Sequence, residues 1–357
     1  MRHHRNTTHA DALRLVRHWT QALPLAALVA ALALAPQLVG AYWVGQATFV
    51  LIYAIAGLGL MVLAGYTGLI SIGHAAFFGV GAYVQALAVG AGLPFVVGLA
   101  AAPLLAAALG VVVGLPALRV KGIYLAIATL AFGFIVEEVF VRWESVTGGN
   151  HGILVPRPML FGINWATAEN WHYVTLVCAI LATWAVLNLT RSATGRAFVA
   201  VRDSEISAQS MGVNLAATKT TAFAVSAALV GLAGALYAHK IRFISPEQFG
   251  VFQSIDLLLI VVIGGLGSIH GAFFGAVVLI ALPQLIAVGK DFLPPAIGQA
   301  AGLQAFVYGA ILVLVVLYEP TGLYGRWRKI RAWFELFPFY RKGMFARQKS
   351  YQRSDRE

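Results

Sequence analysis

Groups able to make or break bonds are scarce in this chain, and its polar residues gather in a few short stretches. Residues 57–83, GLGLMVLAGYTGLISIGHAAFFGVGAY, hold the most telling group. Gly65, Gly68 and Gly73 interrupt an apolar run there, with Thr67, Ser71 and His74 beside them. Hydroxyls and one imidazole at this spacing suit hydrogen bonding to a passing solute, not covalent catalysis. In hydrocarbon, irregular backbone survives only where protein or a water-filled cavity covers it, so a broken apolar segment is a sequence pointer to a transport site. The same letters also fit a short turn between two helices, with small residues for close packing and His74 satisfied in the core. Asp256, near the start of SIDLLLIVVIGGLG, is the exceptional carboxylate inside an apolar run. It suits either a contact with a substrate amine or a structural hydrogen bond near the outer interface.

Other chemistry is not written in the sequence. The phosphate-cradling G-x-x-x-x-G-K-[ST] loop is absent, because Gly289-Lys290 is followed by Asp291. No HExxH, GxSxG or metal-ligand spacing occurs, so no cofactor is expected in this chain. Glu137, Glu138 and Glu319 fall at the ends of apolar runs, whereas ion-coupled carriers place ionisable groups deep in their helices. That argues against proton or sodium coupling and leaves a separate ATPase as the energy source. A self-sufficient carrier or channel, or a membrane anchor or scaffold, are the competing classes.

The elements that position these residues follow from composition. Of 357 residues 60% are hydrophobic and 11% charged, and mean hydropathy is +0.80, where a soluble protein carries about 25% charged residues. The expected class is all-α, a polytopic integral membrane protein with about ten transmembrane helices, since the apolar runs repeat near the length of about 20 residues that a span needs. They lie at 23–39, 47–64, 71–89, 95–115, 123–140, 172–189, 220–238, 254–268, 272–288 and 302–318. Strict alternation is missing, which disfavours a transmembrane barrel. The first run, with Ala31-Leu32-Ala33, also fits a signal peptide, but the helices that follow favour an uncleaved span. Cys178 is the single cysteine, which excludes an internal disulfide. Trp165, Trp171 and Tyr173 suit an interfacial belt.

The net charge of +11 is explained by the membrane and not by nucleic acid. Four cations precede the first span, Arg119 and Lys121 follow the fourth, four lie within 191–219 and ten in the tail, twenty of the 25. With ten spans these share one side, which the positive-inside rule makes cytoplasmic for both termini. Lys240 and Arg242 fall on the wrong side in this count. Residues 1–20 then form a cytoplasmic segment, 21–320 the transmembrane domain and 321–357 a basic cytoplasmic tail. The tail interleaves cations with Trp327, Trp333, Phe334, Phe337, Phe339 and Tyr340, and reads as an amphipathic segment on the anionic inner leaflet.

Two polar loops remain. In 191–219, SATGRAFVAVRDSEISAQSMGVN can form one short helix, capped by Asp203 or Ser204, with Glu205 at its positive end and Gly212 and Asn214 to stop it. Such a helix can dock in a partner's groove, or simply connect two spans. The stretch 142–171 contains TGGNHGI at 147–153. Residues 71–79, SIGHAAFFG, are echoed by SIHGAFFG at 268–275 with one deletion, in the same expected orientation.

Together, GYTGLISIGHAAFFGVGAY, TGGNHGI, GRAFVAVRDSEISAQSMGVN with AFAVSAALVGLAGALYA, and SIDLLLIVVIGGLGSIHGAFFGAVVL resemble the branched-chain amino acid ABC transporter permeases of LivM type. The resemblance runs from about residue 47 to the tail. It implies an ABC importer permease architecture in a bacterial inner membrane, translocating hydrophobic amino acids, with urea, short amides or small organic acids as the alternative cargo. It implies a second homologous permease subunit, two ATP-binding subunits and an extracytoplasmic solute-binding protein as partners. Gly65, Thr67, Gly68, Ser71, Gly73, His74 and Asp256 would belong to the translocation path. Arg202, Asp203, Glu205, Ala208 and Gly212 would couple to the ATPase, and Thr147, Gly148, Gly149, Asn150 and Gly152 would face the binding protein. Asn150 and His151 stand where the family often has Pro, and Asp256 where Glu is common.

Overall fold

The computed structural model describes residues 19–120, 122–160, 163–290, 302–319 and 321–336. Of the expected N-terminal segment 1–20 and basic tail 321–357, residues 1–18 and 337–357 lie outside them, as does the loop with Pro294 and Pro295. In hydrocarbon a backbone must pair its own polar groups, and the apolar runs do so as helices. In chain order these are α1 (Trp19–Leu38), α2 (Ala41–Leu60) widening into a π-turn (Met61–Tyr66), α3 (His74–Gly90), α4 (Phe95–Gly114), α5 (Ile123–Arg142) and a single turn α6 (Glu144–Thr147). Then come α7 (Ala168–Arg191), α8 (Ala193–Asp203), α9 (Glu205–Ser210), α10 (Leu215–Ile241), α11 (Val251–Gly264), α12 (Ile269–Lys290), α13 (Leu303–Tyr318) and α14 (Gly322–Leu336).

Among the described residues, seven helical stretches are long and apolar enough to cross a membrane, and shorter apolar stretches occur at Ala26–Leu38, His74–Gly90 and Phe306–Val315. Each apolar run read from the sequence corresponds to one of these. The ends differ where local chemistry overrides hydropathy. Helix α10 starts at Leu215, because Asn214 caps it by accepting from the Ala217 amide at 3.0 Å, so Lys219 belongs to the helix and not to the loop. Helix α3 starts only at His74, and α11 stops at Gly264.

Helix α10 is the axis of the bundle and packs on α2, α3 and α4. Membrane helices gain little by hiding apolar surface from lipid, so they associate through close packing of small residues. Here Gly81 of α3 meets the Gly231 carbonyl of α10, Gly234 of α10 meets the Phe78 carbonyl of α3, and Gly110 of α4 meets Ala227. The outward faces of α4, α5 and α7 expose Leu104, Leu105, Ile127, Ile135 and Trp184, as a lipid-facing surface does.

Lys219 and His239 mark the two ends of α10, about 30 Å apart at 1.5 Å per residue, which matches the hydrocarbon thickness. At the Lys219 end lie α8, α9 and α14. At the His239 end, β1 (Ile153–Leu154) pairs antiparallel with β4 (Phe243–Ile244), the intervening β2 (Met159–Leu160) and β3 (Ile163–Asn164) pairing with each other. The misplaced cations have a local reason there. Lys240 Nζ sits 5.4 Å from the Phe49 ring centroid, a cation–π contact that shelters the charge. Arg242 caps α10 with φ of 66°, turning the chain into β4.

Candidate functional site

The break between α2 and α3 is irregular backbone that protein largely covers. Thr67, Leu69, Ser71 and Gly73 are buried, while Gly68 and Ile70 are exposed. Its polar groups find specific partners. The Leu69 amide donates to the Leu63 carbonyl (3.0 Å), Thr67 Oγ1 to the Val62 carbonyl (2.9 Å), the Ile72 amide to Thr129 Oγ1 of α5 (3.1 Å) and the Ala75 amide to Ser254 Oγ of α11 (3.0 Å). Gly73 lies so close to the Thr129 carbonyl that any Cβ would overlap it.

His74 is fully buried, its Nδ1 2.7 Å from Ser71 Oγ and its Nε2 2.9 Å from Ser226 Oγ of α10. A neutral imidazole has one donor and one acceptor, and both are engaged. His74 thus ties the break to the bundle axis through Ser226, with both ring nitrogens engaged inside the protein. Asp256 does not join it. Ser254 reaches the break, and Asp256, two residues on and about 200° round the helix, lies in the electrostatic neighbourhood of Tyr53 and Tyr308 instead.

A second glycine break follows α11, with Gly265 at φ 111° and Gly267 at φ 81°. The two breaks touch. The Gly267 amide points at Met61 Sδ at 3.1 Å, and a Cβ on Gly65 would come within 2.8 Å of the Gly267 nitrogen. Arg202, the penultimate residue of α8, reaches into this junction. Its Nη1 donates to the Gly65 carbonyl at 3.0 Å, its stem lies against Gly68, and its Nε and Nη2 both donate to Asp203 Oδ1 at 3.2 Å. Residues assigned from the sequence to path and to coupling therefore form one cluster. Met61, Thr129, Ser226, Ser254 and Gly267 complete it and were not singled out as site residues. The SIHGAFFG echo was the available signal for Gly267, since both echoed stretches follow a glycine break and open a helix.

The loop before α10 holds two helices, not one. Ser192 caps α8 by accepting from the Gly195 amide (3.2 Å), and Ser204 caps α9 by accepting from the Ser207 amide (3.2 Å). Gly212, at φ 84° with open space about it, follows α9, and Asn214 starts α10. Glu205 forms a 2.7 Å ion pair with Lys219, whose side chain is 1% exposed. Ala208 faces inward, while Ile206 and Met211 are 80% and 86% exposed. This end of the molecule thus presents a short capped helix with two bare apolar side chains, Ile206 in it and Met211 just after it. Replacing Lys219 by Met is expected to lower stability by about 3 kcal/mol, the cost of breaking a buried pair. The double variant K219M/E205Q should recover most of the loss. Thermal unfolding in detergent checks both, and a K219M melt equal to wild type would rule the pair out as a structural link.

At the opposite end, Thr147 Oγ1 lies between the Phe140 and Trp143 carbonyls at 2.6 and 2.8 Å and accepts from the Gly149 amide at 3.2 Å. Gly148, Gly149 and Gly152 adopt φ of 69°, 55° and 69°. A Cβ on Gly152 would lie 2.5 Å from the Ile244 carbonyl, so glycine there lets β1 approach β4. Asn150 and His151 are exposed at the tip of this turn.

A family model described as "Branched-chain amino acid transport system / permease component" matches residues 42–316. The chain is 36% identical over 324 residues to the high-affinity branched-chain amino acid transport system permease protein LivM of Escherichia coli K12, covering 83% of this chain and 74% of that one. The LivM protein of Salmonella typhimurium is also 36% identical, over 85% of this chain and 75% of the relative. The E. coli permease protein LivH is 25% identical over 77% of this chain and 91% of its own length. No solved structure matches.

Proposed function

We propose, from the premise that the chain belongs to the family of branched-chain amino acid transport permeases, that it carries aliphatic amino acids inward across the membrane under the control of its capped cytoplasmic helix. It is a multi-pass permease subunit of an ABC importer. The observation that carries the finer reading is Arg202, which ties the end of α8 to both glycine breaks.

The partners are a second homologous permease, two ATP-binding subunits and a solute-binding protein outside. Support for the pair comes from the likeness to both LivM and LivH, each named a permease protein of a high-affinity branched-chain system. Both termini lie in the cytoplasm by the charge bias. Closure of the ATPase pair presses on α9 through Ile206 and Met211. The buried Glu205–Lys219 pair passes that displacement to α10, and Arg202 passes it to the breaks after α2 and α11. The breaks hinge, and the path between the permeases changes the side to which it opens. A path of small and apolar residues suits an aliphatic side chain, and affinity can reside in the binding protein.

Uptake of labelled leucine by cells with and without this chain tests the substrate. Loss of leucine uptake on deletion, unaffected by excess urea, is the expected result. Unchanged leucine uptake with lost urea uptake would overturn the substrate and keep the architecture.

A further inference from the structure

Helix α14 has a composition unlike every span. Leu323, Trp327, Ile330 and Phe334 recur at intervals of four, three and four, one stripe covering about 60° of a helix with 100° per residue. Arg326 and Arg331 border the stripe, and Arg328 and Lys329 lie on the far side. All four cations are exposed, and so are Trp327 (52%) and Phe334 (69%). A stripe this bare needs a covering. Its direction shows which: the Trp327 ring lies beside Phe274, one turn deeper along α12 than His270, on which Tyr324 stacks at 5.4 Å with the rings 3° from parallel. Helix α14 therefore lies beside the first turns of a spanning helix, the level at which lipid headgroups are the neighbours of such a segment.

The start of α14 is fixed to the second glycine break. Gly322 packs backbone to backbone on Gly265, where no Cβ fits, and Arg326 Nε donates to Glu319 at 2.7 Å. That break is also the one whose Gly267 meets Gly65 and lies beside Arg202.

We infer that α14 is a binding surface for anionic phospholipid headgroups, and that its seating on them steadies the Gly265 break. Neutral aromatics at the interface supply anchoring, and the exposed cations, Arg328 and Lys329 foremost since Arg326 is paired with Glu319, supply selectivity for negative lipid, which falls off with salt. The inference rests on the multi-pass placement of the chain, not on its cargo.

Amide hydrogen exchange on the full-length chain in nanodiscs tests it. One set holds phosphatidylcholine alone, the other one-third phosphatidylglycerol. Protection of α2 and α10 in both sets establishes that the chain is inserted, so a failure of insertion is separable from a failure of the lipid site. The expected result is about tenfold slower exchange of residues 322–336 with the anionic lipid, reversed by high salt and in the R328Q/K329Q variant, with 265–268 slowed in step. Equal exchange of α14 in both lipids would overturn the site, as would protection that arises only on adding the ATP-binding subunits. Slowing of α14 without 265–268 would overturn its link to the break.

Discussion

Leucine at Gly234 is expected to abolish the folded protein. Gly234 is where α10 and α3 touch backbone to backbone, and even a single Cβ would overlap the Phe78 carbonyl. About one turn along α3, Gly81 makes the same kind of contact in reverse, with the Gly231 carbonyl of α10. One surplus methylene in a packed core costs about 1–3 kcal/mol, and a leucine here adds four carbons with no room for the first. The strain is of the same order as a total stability of about 5–15 kcal/mol, and is relieved only if the axis of the bundle separates from α3. A separated axis would also strand His74, whose Nε2 partner Ser226 is on α10. Size-exclusion profiles of solubilised membranes should lose the monodisperse peak for G234L and G81L. The control is G289L on α12, where a Cβ meets nothing within 4 Å, and it should keep its peak. A normal profile for G234L would mean that the close crossing of α3 and α10 is not the core of this fold.

That core was only half legible in the letters. Hydropathy located the spans because burial in lipid is a property of each segment by itself, read residue by residue. Which helix occupies the axis is a property of pairs. Gly231 and Gly234 look in sequence like many other glycines, and only the positions opposite them, Ala106 and Phe78, show that they face neighbours and not lipid. The sequence places Lys219 in a loop, because charge outweighs apolar neighbours in any local window. It is helical because Asn214 starts α10 ahead of it, and its charge is tolerated in burial because Glu205, fourteen positions earlier, pairs with it. Lys240 looked misplaced for a similar reason, since the Phe49 face that shelters it is remote in sequence.

The site shows the same division. The glycine break, the separate capped helix and the Thr147 turn were visible, because each is punctuated by residues whose conformational preferences are local. A histidine in an apolar run fits either a ligand or a core residue, and its partner Ser226 lies 152 positions away, beyond any local reading. The largest gain from the structure is that two assignments made separately are one assembly. Arg202 was placed with the coupling residues and Gly65 with the path, 137 positions apart, and a 3.0 Å hydrogen bond joins them.

That bond makes the second strong expectation. If separate ATP-binding subunits drive the chain as proposed, Arg202→Ala should uncouple the importer, with substrate uptake falling about 10- to 100-fold while the chain still inserts and the partners still hydrolyse ATP. The range follows from a hydrogen bond to a charged group, worth about 1.5–3 kcal/mol, at 1.4 kcal/mol per factor of ten. Alanine leaves the Gly65 carbonyl without its guanidinium partner and removes the stem that packs on Gly68, so the two breaks lose the strut that moves them together. Lysine retains charge but not the fork that spans Gly65 and Asp203 at once, and its uptake should fall between alanine and wild type. Asp203→Asn is the discriminating control. It weakens the pair that orients the guanidinium but leaves Arg202 on Gly65, so a strut mechanism predicts a mild defect. If D203N matches R202A, charge at the end of α8 and not the bridge to Gly65 is what the ATPase motion acts through. If R202A stops hydrolysis along with uptake, the residue belongs to docking of the ATPase and not to transmission beyond it. The ratio of uptake to hydrolysis in the assembled transporter therefore separates the strut from both rival roles.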